Sequence, residues 1–304
     1  MSKVHWLALS MVSGIGGVTA RRLADRLGGV EAVFGASDEE LIGVPRITLE
    51  IVARLREVSL DDLDDEIANL SDDGIALITW DDAEYPSNLR RVDDAPPVLF
   101  ARGEITAADE NAVAIVGTRD PAQQSAEFAR NLARSLAERG VTIVSGLASG
   151  VDTAAHEGAL QATGGRTLSV LGSGVRVIHP RENTDLAETI VGRGALVSEF
   201  HPNAPPSGPN LMARDRVISG LSKAVIVVEA GLKSGSLDTG VKARRQGRLV
   251  FAVPGSPGTD ELIASAADPL HPDAQAAEEI IRRLSVSLDG ETEQLSLWDR
   301  PPRD

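Results

Sequence analysis

From residue 112 onward the chain alternates between short unbroken apolar runs and longer segments whose apolar residues recur every three or four positions. Ala112-Val113-Ala114-Ile115-Val116 is the first such run. It stops at Gly117-Thr118-Arg119, and residues 122–139 then carry Phe128, Leu132 and Leu136 at helical spacing. Val141-Thr142-Ile143-Val144 is a second run, ended by Ser145-Gly146-Leu147-Ala148-Ser149-Gly150. Strands buried on both faces lack polar alternation, and two of them joined by an amphipathic helix predict a right-handed βαβ unit. The alternation predicts, in turn, helix 152–163, strand 167–171, helix 182–191, strand 195–198, helix 212–221, strand 224–228, helix 236–246 and strand 249–253. Five or six parallel strands with helices between them describe an α/β fold, a Rossmann-like three-layer domain with a mostly parallel sheet over residues 111–266. The glycine-bearing turns that follow its strands then open at one carboxyl edge, where doubly wound sheets hold their ligands.

Upstream the pattern is different. Residues 1–70 read as a small all-helical domain of helix-hairpin-helix or SAM-like type. Its Gly14-Ile15-Gly16 turn lies between two apolar half-stripes, so its amides and the next helix dipole are candidates for a phosphate contact. A plain helical turn is the better-supported alternative, and the acidic run Asp61 to Glu66 argues against a face for DNA. Residues 71–110 read as a strand-and-turn bridge. Pro96-Pro97 before Val98-Leu99-Phe100 suits an edge strand or a linker, and the boundary is expected near Glu104 to Asn111. Residues 267–304 are expected to hold one helix over 274–284 and then, from Ser287, a disordered acidic tail.

Charge changes this picture in one respect. The net charge of −15 argues against a polyanionic partner, but it is unevenly spread. Residues 1–110 carry 10 basic and 22 acidic side chains, whereas residues 111–266 carry 16 and 14. A near-neutral domain can present a basic face, and binding follows the local potential. With no cysteine there is no disulfide, thiolate metal site or cysteine nucleophile. Without a signal-like or spanning apolar run, a soluble cytoplasmic protein is expected.

Familiar catalytic patterns are missing. The first strand ends without Gly-x-Gly-x-x-Gly, and Gly231-Leu-Lys233-Ser-Gly235-Ser236 has its lysine before the second glycine, so it is not a P-loop. There is no Gly-x-Ser-x-Gly elbow and no His-Glu-x-x-His. What remains are strand-end loops rich in Gly, Ser and basic residues: Gly117-Thr118-Arg119, Ser145-Gly146, Gly172-Ser-Gly174, Arg214-Asp215-Arg216 and Lys233-Ser234-Gly235-Ser236. Free amides and guanidinium groups gathered on one edge make a phosphate-binding constellation. Asp152 reads as a helix cap and His156 as a packed or locally bonded side chain. Glu199 and Glu229 read as acceptors that orient loops.

The ordered series Val116-Gly-Thr-Arg119, Ser145-Gly-Leu-Ala-Ser-Gly-Val-Asp152, His156-Glu-Gly-Ala-Leu160, Val170-Leu-Gly-Ser-Gly174, His179-Pro-Arg-Glu-Asn183, Ser198-Glu199, Arg214-Asp-Arg-Val-Ile-Ser-Gly-Leu-Ser222, Val228-Glu-Ala230, Ser234-Gly-Ser-Leu237 and Ala252-Val-Pro-Gly255 resembles the DNA-processing protein A family, also called Smf. The resemblance covers about residues 75–266. It implies a single-stranded DNA-binding protein that forms homodimers and loads the RecA recombinase on incoming strands in natural transformation, with no cofactor, metal or known catalysis. Carried over by position, it implies a DNA path along Gly117, Thr118, Arg119, Ser145, Gly146, Arg214, Arg216 and Lys233 to Ser236. Asp215 stands where the family usually has asparagine, and so does Asp260. With aromatics at 3%, affinity is expected to rest on phosphates and to fall with salt.

In the tail, Gln294-Leu295-Ser-Leu297-Trp298 is similar to the peptide by which bacterial replication and repair proteins dock on the polymerase sliding clamp. Two other readings compete with the leading one. Pro254-Gly-Ser-Pro-Gly-Thr-Asp-Glu261 resembles the phosphate loop of the cytokinin-activating LOG proteins, which favours a nucleotide sensor or hydrolase. A member without DNA affinity, acting through its tail as an adaptor, is the third.

Overall fold

The computed structural model describes residues 2–285. Six helices come first: α1 (Ser2–Met11), α2 (Gly17–Leu27), α3 (Val30–Gly35), α4 (Asp38–Ile42), α5 (Leu49–Arg56) and α6 (Leu60–Asp72). Polar caps start three of them. Ser37 and Glu40 form a reciprocal box on α4, and the hydroxyls of Thr48 and Ser59 accept from the first turns of α5 and α6. These helices are not an isolated unit. Trp6 Nε1 donates to Asp81 Oδ2 at 2.6 Å, Lys3 Nζ to the Leu77 carbonyl at 2.9 Å, and His201 Nε2 lies 2.6 Å from Glu66 Oε1.

One sheet organises the rest. β1 (Ile75–Thr79) and β2 (Val98–Gly103) are joined through α7 (Ser87–Arg90), and then come β3 (Ala112–Val116), α8 (Gln123–Ala137), β4 (Thr142–Ser145), α9 (Val151–Gln161) and β5 (Thr167–Val170). They are followed by α10 (Thr184–Val191), β6 (Gly194–Ser198), α11 (Gly208–Leu221), β7 (Ala224–Val227), α12 (Gly235–Arg245), β8 (Leu249–Ala252), α13 (Pro257–Ala264) and β9 (Asp268–Pro269). The strand order is β1-β2-β6-β5-β4-β3-β7-β8-β9. β3 to β9 are parallel, and β2 pairs antiparallel with β6, Phe100 opposite Ser198. The bridge is therefore not a linker: its two strands form the antiparallel margin of the same sheet.

Alternation along β3 shows how the layers divide. Val113 and Ile115 enter a core with Leu132 and Leu136 of α8 and Ala155 and Ala159 of α9. Ala112, Ala114 and Val116 face a second core, shared with Val217 and Ile218 of α11 and running on into Trp6, Leu7 and Leu23 of the helical region. The expected helices and strands of residues 111–266 are all present, with ends shifted by a few residues. One helix was not expected: Ser256 and Pro257 start α13. The helix expected over 274–284 spans residues 276–285, and it packs Ile280 and Leu284 into the core of Leu136 and Val141. The α/β layers thus extend past residue 266.

Candidate functional site

The strand order reverses between β3 and β7. From β3 the chain steps outward through β4, β5 and β6, and α11 then carries it back across the sheet to β7, on the other side of β3. At such a switch point the loops leaving the two neighbouring strands diverge and leave a crevice at the carboxyl edge. A cleft of about 840 Å³ lies there, bordered by Gly117, Thr118 and Arg119 after β3, Met212, Arg214 and Asp215 on α11, and Lys233, Ser234, Gly235 and Ser236 at the start of α12. The Thr118 amide donates to the Glu229 carbonyl at 2.8 Å, and Glu229 Oε2 accepts the Ala122 amide at 3.1 Å. Glu229 is thus a loop-orienting acceptor, as its place at a strand end predicts.

Arg119 and Lys233 are exposed, and among the described residues neither has a hydrogen bond or an ion pair. Arg119 also borders a smaller hollow of about 60 Å³ with Ser149, His179 and Pro180, so it stands between two depressions. His179 and Ser149 belong to motifs of the chain but were not singled out as contacts, and neither were the exposed apolar Met212 and Leu232 on the cleft wall. Ser234 caps α12 by accepting the Leu237 amide at 3.3 Å, which leaves the α12 start at the cleft as a positive dipole end.

Other expected contacts serve the scaffold. Ser145 is fully buried, and its hydroxyl donates to the Ile115 carbonyl at 2.7 Å. Gly146 has no room for a side chain, because a Cβ there would meet Arg214 Nη1 at 1.7 Å. Arg214 is itself buried. Its Nη1 donates to the carbonyls of Gly146 at 2.7 Å and Val170 at 2.8 Å, and its Nε lies 3.2 Å from Asp215 Oδ1. Arg214 lines the cleft from within as a tie between strand ends rather than an open fork.

Arg216 does not border the cleft. Two residues on along α11, it points to another side, where Nη2 meets Glu199 Oε2 at 2.6 Å and Nε donates to the Asp94 carbonyl at 3.1 Å. Arg216 thus ties α11 to the end of β6 through Glu199 and to the loop before β2 through Asp94, so Glu199 holds a guanidinium where an amide was expected.

Buried titratable groups surround Arg214. Asp152 is not the cap of α9, a place taken by Gly150, but reaches back to accept the Gly146 amide at 3.0 Å. Burial raises its carboxyl, with Arg214 opposing. His156 is fully buried, and burial, aided by Arg214, lowers its imidazole to about 3. Its Nδ1 lies 2.7 Å from Thr167 Oγ1, whose proton goes to the Ile143 carbonyl, so Nδ1 is the donor and the ring is neutral. Burial also pushes the Asp215 carboxyl up to about 6, against the pull of Arg214 and Lys242.

The stretch Pro254 to Glu261, compared above with a phosphate loop, is spent internally. Ser256 Oγ accepts the Ala230 amide at 3.0 Å, the Gly258 amide donates to the Ala230 carbonyl at 2.8 Å, and Asp260 Oδ1 accepts the Gly255 amide at 2.9 Å. None of these residues borders the cleft.

A family model described as DNA recombination-mediator protein A matches residues 76–284, more than half the chain and nearly all of the sheet. The chain belongs to that family. Its sequence is 39% identical over 259 residues to Protein Smf of Escherichia coli K12, covering 84% of this chain and 68% of the relative. It is 41% identical over 191 residues to DNA processing protein DprA of Bacillus subtilis, covering 62% and 64%. The chain thus spans about two thirds of the length of these relatives. In three dimensions it is similar to DprA from Streptococcus pneumoniae, with TM-score 0.79 and 29% identity over 93% of this chain and 98% of that one. It is also similar to DNA processing protein A from Helicobacter pylori, described for its single-stranded DNA binding mode, with TM-score 0.57 and 31% identity over 63% and 87%. The family's α/β architecture is therefore shared, and so is the helical region that precedes the sheet in the pneumococcal protein's range of overlap. Among the described residues no helix is long and apolar enough to cross a membrane.

Proposed function

We propose that this DNA recombination-mediator protein A relative binds single-stranded DNA across the carboxyl edge of its sheet, without catalysing a reaction on it. The observation that carries the reading is the cleft at the switch point, which is lined by Arg119, Lys233 and the start of α12, both cations being unpaired among the described residues. Phosphates need cations, amides and a dipole end, and all three are there. The strand passes over Arg119 between the large cleft and the hollow beside His179, while Ser145, Gly146 and Arg214 keep the loops in place from below.

An oligothymidylate titration at two salt concentrations tests this. The expected result is binding whose affinity falls steeply with added salt and drops further on Arg119→Ala. An absence of binding at low salt overturns it, and release of free base from a nucleoside monophosphate favours the nucleotide-hydrolase reading instead.

The finer assignments rest on the same reading. The protein acts in the cytoplasm as a homodimer that loads the RecA recombinase on incoming strands in natural transformation. A stimulated rate of RecA assembly on covered strands, and a dimer mass in sedimentation, are the expected results. Gln294, Leu295, Leu297 and Trp298, which lie outside the described residues, dock on the polymerase sliding clamp. Calorimetry with a peptide of residues 290–302, and its Leu297→Ala, Trp298→Ala form, tests that contact.

A further inference from the structure

The rim of the cleft is cationic, whereas three of the four charged groups below it are acidic. The exposed rim has Arg119 and Lys233, whereas the floor has Asp152, Arg214, Asp215 and Asp238. Two of the floor carboxylates are already spent. Asp152 accepts the Gly146 amide, and Asp238 Oδ2 holds Lys242 Nζ at 2.5 Å. Asp215 differs. Its Oδ1 lies 3.2 Å from Arg214 Nε, and its Oδ2 lies against Gly235, the first residue of α12, 3.4 Å from where a Cβ would stand. That carboxylate therefore sits at the positive end of a helix of 11 residues and beside the one guanidinium in the cleft floor. A DNA phosphate entering the cleft would meet the dipole end directly and would feel the buried Arg214 through its charge alone.

We infer that Asp215 is a built-in competitor for the DNA backbone: its carboxylate occupies the α12 dipole end and offsets the charge of Arg214, so the cleft binds DNA tightly only when Asp215 is neutral. The inference rests on the single-stranded DNA reading and adds a regulation to it. The groups that face Asp215 are Arg214 on its own helix, Lys242 and Asp238 on α12, and Asp152 on α9. The cations favour its ionised form, and burial and the two carboxylates oppose it, which brings its titration to about 6. A shift in pH across that value changes the charge of the cleft floor by one unit. A phosphate placed over α12 repels the proton-free form and draws a proton onto Asp215.

The test compares the full chain with Asp215→Asn, using a rhodamine-labelled oligothymidylate at constant salt. Affinity of the unchanged protein is expected to rise about fivefold between about pH 7.5 and about pH 5.5 beyond any change in the variant, from one unit charge at partly screened distance. Asp215→Asn should bind at the higher pH as tightly as the unchanged chain does at the lower one. Other rim groups, His179 included, are common to both proteins and cancel in the comparison. Parallel pH profiles, or weaker binding by the variant, overturn the inference while leaving the DNA reading intact. Binding by neither protein at any pH overturns both. A second measurement needs no substitution: calorimetry near pH 6.5 (about half a unit above the Asp215 titration), in two buffers of different ionisation heat, should show proton uptake on binding. No uptake overturns the inference.

Discussion

The turn Gly231–Ser236 and the turn Gly14–Gly17 are built from the same materials. Each places glycines and free amides just ahead of a helix, α12 in one case and α2 in the other. The first opens into the cleft, with Lys233 and Gly235 exposed. The second is exposed at Gly14 and Gly16 but packed at Gly17. A Cβ on Gly17 would stand 2.1 Å from the Ala95 carbonyl oxygen and 3.2 Å from that of Asp94, so a loop of the bridge lies directly on the first turn of α2. That loop is fixed in turn, because Arg216 Nε donates to the Asp94 carbonyl. The glycine of one turn borders an open cleft, and that of the other lets the bridge pack on α2. An amide-bearing turn is a phosphate site only where the rest of the chain leaves it uncovered.

The largest expected effects test the packed side of this comparison. Gly17→Ala drives a methyl into backbone that cannot rotate away and should lower stability by about 3 kcal/mol or more. Gly146→Ala meets the movable head of Arg214 and should cost somewhat less, about 2 kcal/mol. Denaturant midpoints at unchanged slope read both. Oligonucleotide affinity of the folded Gly17→Ala protein should be unaltered, whereas Gly146→Ala, which displaces Arg214, should change it.

Next comes Asp215→Asn, read as stability. The folded carboxyl titrates at about 6 and its ordinary value is 3.8, so between these the native state binds more protons than the unfolded one. Stability from this group is then present in full below the ordinary value and is lost as pH rises through about 6. The variant should be more stable than the unchanged chain at neutral pH, by up to about 3 kcal/mol. The gap should close towards about pH 4. His156 works in the opposite sense. Its folded value of about 3 lies below its ordinary 6.5, so stability is lost as pH falls from 6.5 towards 3, and both proteins share that loss.

Smaller again is the loss on the open side. Removing both rim cations by Arg119→Ala and Lys233→Ala should weaken oligothymidylate binding about 30-fold. The slope of log affinity against log salt should fall by about 1.4, two phosphate contacts at the single-strand value. Unfolding midpoints should not move, since neither side chain has a partner among the described residues. A double variant that binds normally would place the strand elsewhere.

Most of the sheet could be read from residues 112–253 because parallel strands buried on both faces leave unbroken apolar runs. What escaped depends on contacts that no local pattern carries. The helix at 276–285 was legible from its stripe of Ala276, Ala277, Ile280 and Leu284, but not the Leu136 and Val141 surface it covers, which joins it to the α/β layers. The start of α13 did carry a local sign, Ser256 followed by Pro257 at the first helical position, but Gly255 and Gly258 around it read equally well as loop. In the site, Arg119 and Lys233 were legible as cations in strand-end loops. Arg214 and Arg216 look equivalent in sequence, yet positions two apart on a helix face different ways, a rule that separates cleft from clasp before any coordinates. Burial of Arg214 was not legible, because its partners are main-chain carbonyls of Gly146 and Val170, distant in sequence.

The smallest expected effect is the sharpest test of the comparison. Gly16 is the N-cap of α2, with φ −94° and ψ 178°, a conformation open to any residue, and nothing stands within 4 Å of where its Cβ would be. Aspartate is a favoured N-cap, so Gly16→Asp should fold at least as well as the unchanged chain, within a few tenths of a kcal/mol (~0.3). It also puts a negative charge at the mouth of the turn. If α2 took a DNA phosphate, that charge would repel it and affinity would drop; with the Ala95 carbonyl in the way, affinity and its salt slope should stay as they were. A reduced affinity in Gly16→Asp at unchanged stability would mean that the bridge loop moves off α2 and that both glycine turns contact the strand.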